Sequence, residues 1–541
     1  EEYRADLISN WMDEMGLPQT ALLRKQVKEY RKFFKASVRR EKIAKQKNIP
    51  SVPRQLDMAV MGALAGIVDV TPYAIIKKVL CAGLDTGTNS MYCGFADYGI
   101  DKAFWNMAQK GTGYVADIPN LGHLAAHILL TSATRTMQPE YLSKWKDFVS
   151  EAHQAYCYEF VSEWLHSTDA DQLREIVIRI EEELKLSEQF MKLDVADLVN
   201  TETFPCIHEL ILIKLMTEIA DSIIDVNIIK DTVEKRRTCV WYEEVKDFYE
   251  GILQVANMQD FFKEHTTGFH SAQAVKVWKE YTTEYYKMDT FYRLFHRSYG
   301  RSLKTYHAKL HDLFSHIMEK AEGLYKNWFL GQLGENWSKV CAEEMERYGK
   351  ILEVPQQTDF YKSKVKNADN RVFVIISDAL RYEVAVDLAE QLRRETKSQV
   401  DLSSMQSIFP TITKFGMAAL LPHEKLSVKF QGNIVDVFAD GKNTESHDRD
   451  RILKSDREDS VALKYTDLVT AKRQERSAWV KSKNVVYIYH DTIDEASHTS
   501  DTLVFPACDD AIEELKNIVR IITSDFGGTN IMITADHGFL Y

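Results

Sequence analysis

The hydrophobic period changes near Pro355, and this change most constrains the fold. Up to about Glu353, apolar residues recur every three or four positions, as in LISNWMDEMGL, LRKQVKEYRKFFKASV, DQLREIVIRIEEELKLSEQFMKL and HELILIKLMTEIADSIIDV. That spacing lays one apolar stripe along a helix. A polar segment, PQQTDFYKSKVKNADN, then leads into RVFVIIS, a run of branched and aromatic residues bounded by charge. From there the pattern predicts strands at 371–377, 399–405, 485–489 and 530–534, with helices at 380–395, about 414–421 and 509–522. Nearly continuous apolar strands alternating with helices predict an α/β fold, a mostly parallel sheet with helices on both faces. The expected organisation is an all-helical region over 1–355, of more than one subdomain, then the α/β core over 356–541. Within the core, the charge-dense segment 422–483, which includes ESHDRDRILKSDREDS, is expected to be a cap-like insertion.

Composition narrows the class. The 541 residues carry 68 basic and 80 acidic side chains, a net charge of −12, so contact with a polyanion requires a local patch. One candidate is bounded by Arg24 and Lys47, a run with eleven Lys or Arg against Glu29 and Glu41. It reads either as a nucleic-acid track or as a solvated face. Seven cysteines, far apart and without a CxxC pair, predict reduced thiols and no zinc ribbon. No apolar run reaches the roughly 18 residues of a membrane span, which predicts a cytoplasmic protein with no membrane partner. The chain opens on Glu1 and stops at Tyr541, just after a strand pattern, so a piece of a longer protein with a core incomplete at its C-terminus is expected. The aromatic stretch between Trp278 and Trp328 is expected to be core, two helices broken near Gly300. His123 with His127 and His307 with His311 share H-x-x-x-H spacing but lack the H-E-x-x-H glutamate, which favours core or surface histidines.

Three predicted strands end in acidic or imidazole groups. RVFVIIS runs into Asp378, VVYIY into His490, Asp491 and Asp494, and NIMITA into Asp536 and His537, while IFPTITKF delivers Thr411 and Thr413 just before a helix. Singly these are ambiguous: an aspartate after a strand often caps the next helix, Asp494 and His498 could pair on one helical face, and Asp536-His537 could be a polar turn. Together, at the carboxyl ends of one sheet where ligands collect, they match the donor set of a two-metal site for phosphoryl or sulfuryl transfer. No GxxxxGK[ST] loop is present.

The ordered motifs SDALRYE, FPTITKFGMAALL, HDTIDEASH and ITADHGFLY resemble the alkaline phosphatase superfamily, and within it the PglZ family of BREX-type phage-defence systems. The resemblance covers about 371–541 and extends more loosely over the helical region. It implies a metal-dependent phosphatase or phosphodiesterase that works through a phosphothreonine. Asp378, Asp536, His537 and the nucleophile would hold one ion, and Asp494 with His498 the other. Thr413 is the implied nucleophile and Thr411 the runner-up. Zinc or manganese suits such a mixed Asp/His set. Arg381 and Lys414 are candidates for binding phosphate oxygens, or are ordinary ion pairs. The superfamily adds a histidine downstream of D-H-G, whereas this chain ends four residues after His537. The second ion is therefore expected to be held weakly, with His490 and Asp491 the nearest further ligands. Implied partners are a phosphate ester substrate and other BREX components such as a DNA methyltransferase. The alternative is a catalytically weak scaffold that binds partner proteins or DNA.

Overall fold

Strand β1 (Val372–Ser377) is buried at all six positions, because its alternating side chains enter two different cores. Phe373 and Ile375 pack with Val384 and Leu388 of the helix Tyr382–Glu395 and with Leu515 and Ile518 of the helix Val504–Asp525. Val372, Val374 and Ile376 pack on the opposite face with Tyr361, Val365, Met417 and Leu420. Burying a side chain of this size stabilises the fold by about 1.5–3 kcal/mol. The computed structural model describes residues 2–541 apart from Ile223, Asp369 and Asn433.

The remaining strands are β2 (Leu426–Gln431), β3 (Ile434–Ala439), β4 (Lys442–Asn443), β5 (Ser460–Lys464), β6 (Val485–His490) and β7 (Asn530–Thr534). The main sheet has the order β5-β6-β1-β7 and is parallel throughout, with Val372 opposite both Val485 and Asn530. The first strand of this sheet is thus interior, and connections leave it in both directions. Such a reversal opens a crevice beyond the carboxyl ends of the strands.

Two expectations are corrected. Residues 399–405 form no strand: Val400 packs against the core and Ser404 Oγ accepts from Trp278 Nε1 at 3.0 Å, but the only sheet-like pairing nearby is one bridge between Gln356 and Gln406. The polar QVDLSSM sequence offers no second apolar face for a sheet interior to cover. Segment 422–483 is also not wholly an insertion. It contains the small antiparallel sheet β2-β3-β4, yet β5 returns to the main sheet as its edge, parallel to β6. Five residues of mixed burial beside a dense charge run carry too little periodicity to stand out.

By contact the chain divides into two compact units, residues 1–215 with 231–246 and residues 216–230 with 247–541. The described part of the first unit is helical, and the buried Arg236 guanidinium closes it by donating to the carbonyls of Val199 and Thr201 at 3.2 and 2.7 Å. The Arg24–Lys47 run is three separate short helices there. Phe33 and Phe34 are buried, and Arg39 and Arg40 donate to backbone carbonyls or to Glu14. His127 is buried while His123 is exposed.

The second unit joins helices to the α/β core. Its aromatic stretch is core as expected, with Tyr292 stacked on Tyr325 at 3.9 Å. Gly300 lies inside the helix Tyr286–Ser302, and the break falls between it and the helix Ala308–Glu322. His307 and His311 both pack against the Phe248 ring. Among the described residues, no helix is long and apolar enough to cross a membrane.

Candidate active site

At the carboxyl end of β1 the chain turns sharply. Asp378 N–H donates to the His490 carbonyl at 2.7 Å, and Ala379 takes a positive φ of 59°, a conformation that costs a non-glycine residue energy and recurs at functional sites. In this conformation Ala379 N–H donates to Asp536 Oδ1 at 3.1 Å. The loop after β1 is thereby tied to the loop after β7.

The same turn brings three ligand-type groups together. Atoms of Asp378, Asp536 and His537 lie within 4.8 Å of one another. His537 Nε2 is 3.5 Å from both Asp378 Oδ1 and Asp536 Oδ2. Its Nδ1 lies 2.9 Å from the Gly538 carbonyl, which assigns the proton to Nδ1 and leaves the Nε2 lone pair facing the carboxylates. Thr413, the first residue of the helix Thr413–Ala419, completes the group: its Oγ1 is 3.1 Å from His537 Nε2 and 3.4 Å from Asp378 Oδ1.

The electrostatics fit a cation. Burial pushes the Asp378 carboxyl well above the ordinary carboxylate range, and the charges of Asp536 and Asp494 push it further. Burial also raises Asp536, although backbone N–H groups oppose the shift. Asp536 Oδ2 is buried without a hydrogen-bond partner. Two desolvated carboxylates, an imidazole lone pair and a hydroxyl form an oxygen and nitrogen donor set that suits zinc or manganese.

Two features that sequence reasoning missed hold this geometry. Gln357, buried in the linker before the core, donates from Nε2 to the carbonyls of Ala535 and Asp536 at 3.1 and 2.6 Å, and its Oε1 accepts from Ile408 N–H at 3.1 Å. It bridges the loop after β7 to the loop that leads into Thr413; as one more polar residue in a polar linker it gave no signal. Gly416 lets the Thr413 helix lie directly on Asp536, where a Cβ would come within 2.3 Å of the Asp536 carbonyl oxygen. That close approach is invisible without the third dimension.

Other expected site residues lie elsewhere. Asp494 acts on Asp378 through its charge, but it pairs with His498 at 3.2 Å, and the His498 side chain is 78% exposed. Among the described residues, these two belong to no cluster of three ligand-type groups. His490 is bound between Ser377 Oγ (2.9 Å from Nδ1) and Glu514 (2.8 Å from Nε2), and Asp491 is exposed. Thr411 is also exposed. Lys414 reaches the small sheet instead, 3.1 Å from Glu445 and 3.2 Å from the Val435 carbonyl.

Arg381 is corrected as a candidate phosphate ligand. It is buried, its guanidinium lies 3.0 Å from Asp289 and 3.9 Å from the centre of the Tyr541 ring, and it donates to the Phe539 carbonyl. Asp289 also accepts from the hydroxyls of Tyr281 and Tyr325. Beside it Glu383, fully buried, takes Arg293 Nε at 3.0 Å on both oxygens and Tyr541 OH at 2.6 Å. A guanidinium matched by a buried carboxylate and sealed under an aromatic ring is not available to a solvent-borne phosphate.

Comparison with known proteins agrees with this architecture. Residues 360–541 match the model of the BREX system PglZ alkaline phosphatase-like domain. The whole chain is 30% identical over 548 residues to the alkaline phosphatase-like protein PglZ of Bacillus cereus (strain H3081.97), covering 63% of it. It is 29% identical over 570 residues to the alkaline phosphatase-like protein BrxZ of Escherichia coli O9:H4 (strain HS), covering 64% of it. The chain therefore spans less than two thirds of the length of these relatives. Residues 360–541 thus carry the alkaline phosphatase-like domain of BREX system PglZ proteins, and the chain as a whole is similar to relatives named PglZ and BrxZ.

Proposed function

We propose that the core hydrolyses phosphate esters, with Thr413 as nucleophile, as a component of a BREX-type defence system. The observation that carries this reading is the placement of the Thr413 hydroxyl against Asp378 and His537 in a pocket of buried carboxylates. A threonine hydroxyl is a weak nucleophile at neutral pH and needs a nearby proton acceptor and positive charge. Asp378 Oδ1 lies 3.4 Å from Oγ1 and keeps lone pairs beyond the one a metal would take, so the hydroxyl proton has an acceptor in place while His537 Nε2 is left to hold the ion. Asp378, Asp536 and His537 would hold a divalent cation, which when bound would lower the hydroxyl pKa and offset the charge of an approaching phosphate.

Oγ1 then forms a bond to phosphorus while the bond to the leaving oxygen breaks, and water later releases phosphate from the phosphothreonine. Asp494 and His498 would be the chain's contribution to a second ion, and with two protein ligands such an ion would be weakly held, since catalytic zinc usually keeps three. The functional division follows the change of period near Pro355, with 356–541 as the hydrolase. Other components of the system, such as a DNA methyltransferase, are the proposed partners, in the cytoplasm.

The test is turnover of nitrophenyl phosphate and bis-nitrophenyl phosphate by the zinc- or manganese-loaded protein, beside a metal analysis. Metal-dependent hydrolysis that disappears in Thr413→Ala supports the proposal. A metal-loaded protein inert toward both esters, also after the remainder of the chain is restored, favours the scaffold.

A further inference from the structure

The first compact unit contains a cleft of about 880 Å³, within the range of roughly 300–1,000 Å³ typical of small-molecule sites. Its lining mixes two chemistries. Tyr30, Met58, Met61 and Met107 contribute apolar groups, and thioethers are polarisable groups that adapt to a planar ring. Arg54, Lys102 and Lys110, all exposed, contribute positive charge. No carboxylate lies within ion-pair distance of these three among the described residues, whereas Lys47, Lys77 and Arg174 of the same unit have acidic partners at 2.7–2.9 Å. On a chain of net charge −12, three unmatched cations around one cleft mark it for an anion.

The one acid in the wall is already engaged. Asp57 accepts from Tyr30 OH at 2.6 Å and from the Gln26 side-chain amide, which fixes its position, and three cations against this one carboxylate leave the lining net positive. Arg54 lies at the start of the helix Pro53–Ala65, where Gln55 and Leu56 N–H already donate to the Val52 carbonyl at 3.0 and 3.1 Å, and this end of the helix favours negative charge.

Gly113 shapes the far wall. It has φ +78°, and a Cβ there would come within 2.4 Å of His153 Nδ1. Only glycine lets the imidazole seat at this edge, where Ser150 Oγ holds Nδ1 at 2.8 Å. Nε2 makes no hydrogen bond among the described residues and can donate to, or accept from, a ligand. Asn106 and Gln109 add amides that can read the edge of a base.

We propose that this cleft binds a nucleoside phosphate, its base against the methionine side chains and its phosphates on Arg54, Lys102 and Lys110. A single nucleotide fits better than a nucleic-acid strand. The cations surround one bounded cavity, and the neighbouring basic run is partly consumed by backbone carbonyls. The proposal does not depend on the hydrolase reading.

The test is calorimetric titration of the whole chain, with EDTA present to silence the Asp378 site, using AMP, ADP, ATP, adenosine, inorganic phosphate and a single-stranded oligonucleotide. Saturable nucleotide binding is expected, at least about tenfold tighter than that of adenosine or phosphate alone, a difference of about 1.4 kcal/mol. Lys102→Glu with Lys110→Glu should weaken it by at least the same factor, and Arg54→Gln, a milder change, should weaken it less. Circular dichroism and melting temperature confirm that each variant is folded. Absence of nucleotide binding overturns the proposal. So does binding unchanged in all folded variants, equal binding of inorganic phosphate, or an oligonucleotide that binds more tightly with the same sensitivity to the variants.

Discussion

The Arg381 guanidinium stands 3.0 Å from the Asp289 carboxylate, with both side chains at most 6% exposed, while donating to the Phe539 carbonyl. Arg381 follows Asp378 by three residues and Phe539 follows His537 by two. One side chain therefore ties both ligand-bearing loops to each other and to the helix Tyr286–Ser302. Asp289→Asn removes the nearer counter-charge of the buried cation and leaves only Glu383 at 3.9 Å, already shared with Arg293, a loss that costs up to about 3–5 kcal/mol. A lower melting temperature and at least about tenfold weaker zinc binding are expected, read by thermal unfolding and metal titration, with Arg381→Lys intermediate because it loses the planar fork.

Removing the hydroxyl at Thr413 should separate chemistry from folding. Thr413→Ala is expected to reduce ester hydrolysis by about a thousandfold or more, with metal content and melting temperature nearly unchanged. Thr411→Ala should leave the rate within about twofold, because Thr411 is exposed and outside the cluster. Parallel rate and metal measurements on the two variants check this.

Zinc or manganese should raise the melting temperature in proportion to the logarithm of its free concentration, because the native chain assembles the ligands and the unfolded chain does not. Asp536→Asn should abolish most of that shift, and EDTA should remove it from the parent protein. Differential scanning fluorimetry across a metal series reads the effect.

Gly416→Ala is expected to destabilise the second unit by about 1–3 kcal/mol through overpacking, since the new methyl would meet backbone at Asp536 and not a yielding side chain. Hydrolysis should fall as well, because the same contact sets how near Thr413 lies to His537. Urea unfolding and steady-state kinetics give both numbers.

Acid should weaken the first unit through His127. Burial holds its imidazole below the ordinary histidine range; Nε2–H donates to the Thr112 carbonyl at 2.7 Å, and the buried Nδ1 has no partner. The unfolded imidazole titrates near about 6.5, so as pH falls below that value the unfolded chain takes up a proton that the folded chain refuses. The contribution is complete at neutral pH and is lost progressively toward acid. Thermal unfolding between pH 7 and pH 5 should show this slope, reduced in His127→Gln.

Much of the core could be read before its coordinates because β1, β6 and β7 are nearly continuous apolar runs and each delivers its polar residues at its carboxyl end. Asp378, Thr413, Asp536 and His537 were therefore identifiable as a set. For Arg381 the sequence leaves phosphate binding and an ion pair open, because its partners Asp289 and Tyr541 lie far away in sequence and without any motif. The β5 edge and the Gln357 bridge escaped for the same cause, since short or polar segments take their role from what they meet. Periodicity reports which side chains face a core, not which partner a buried charge will find.

The interior position of β1 also determines when the site can exist during synthesis. Ser377 meets His490 from 113 residues further along the chain, and Ala379 meets Asp536 from 157 residues further. A ribosome that has just made Asp378 and Thr413 has produced a hydrophobic strand with neither neighbour and a hydroxyl without the His537 imidazole. Such late pairing is slow and leaves apolar surface exposed while it waits. A product truncated before β7 lacks Asp536 and His537, so the donor cluster forms only once β7 and the loop after it have been made.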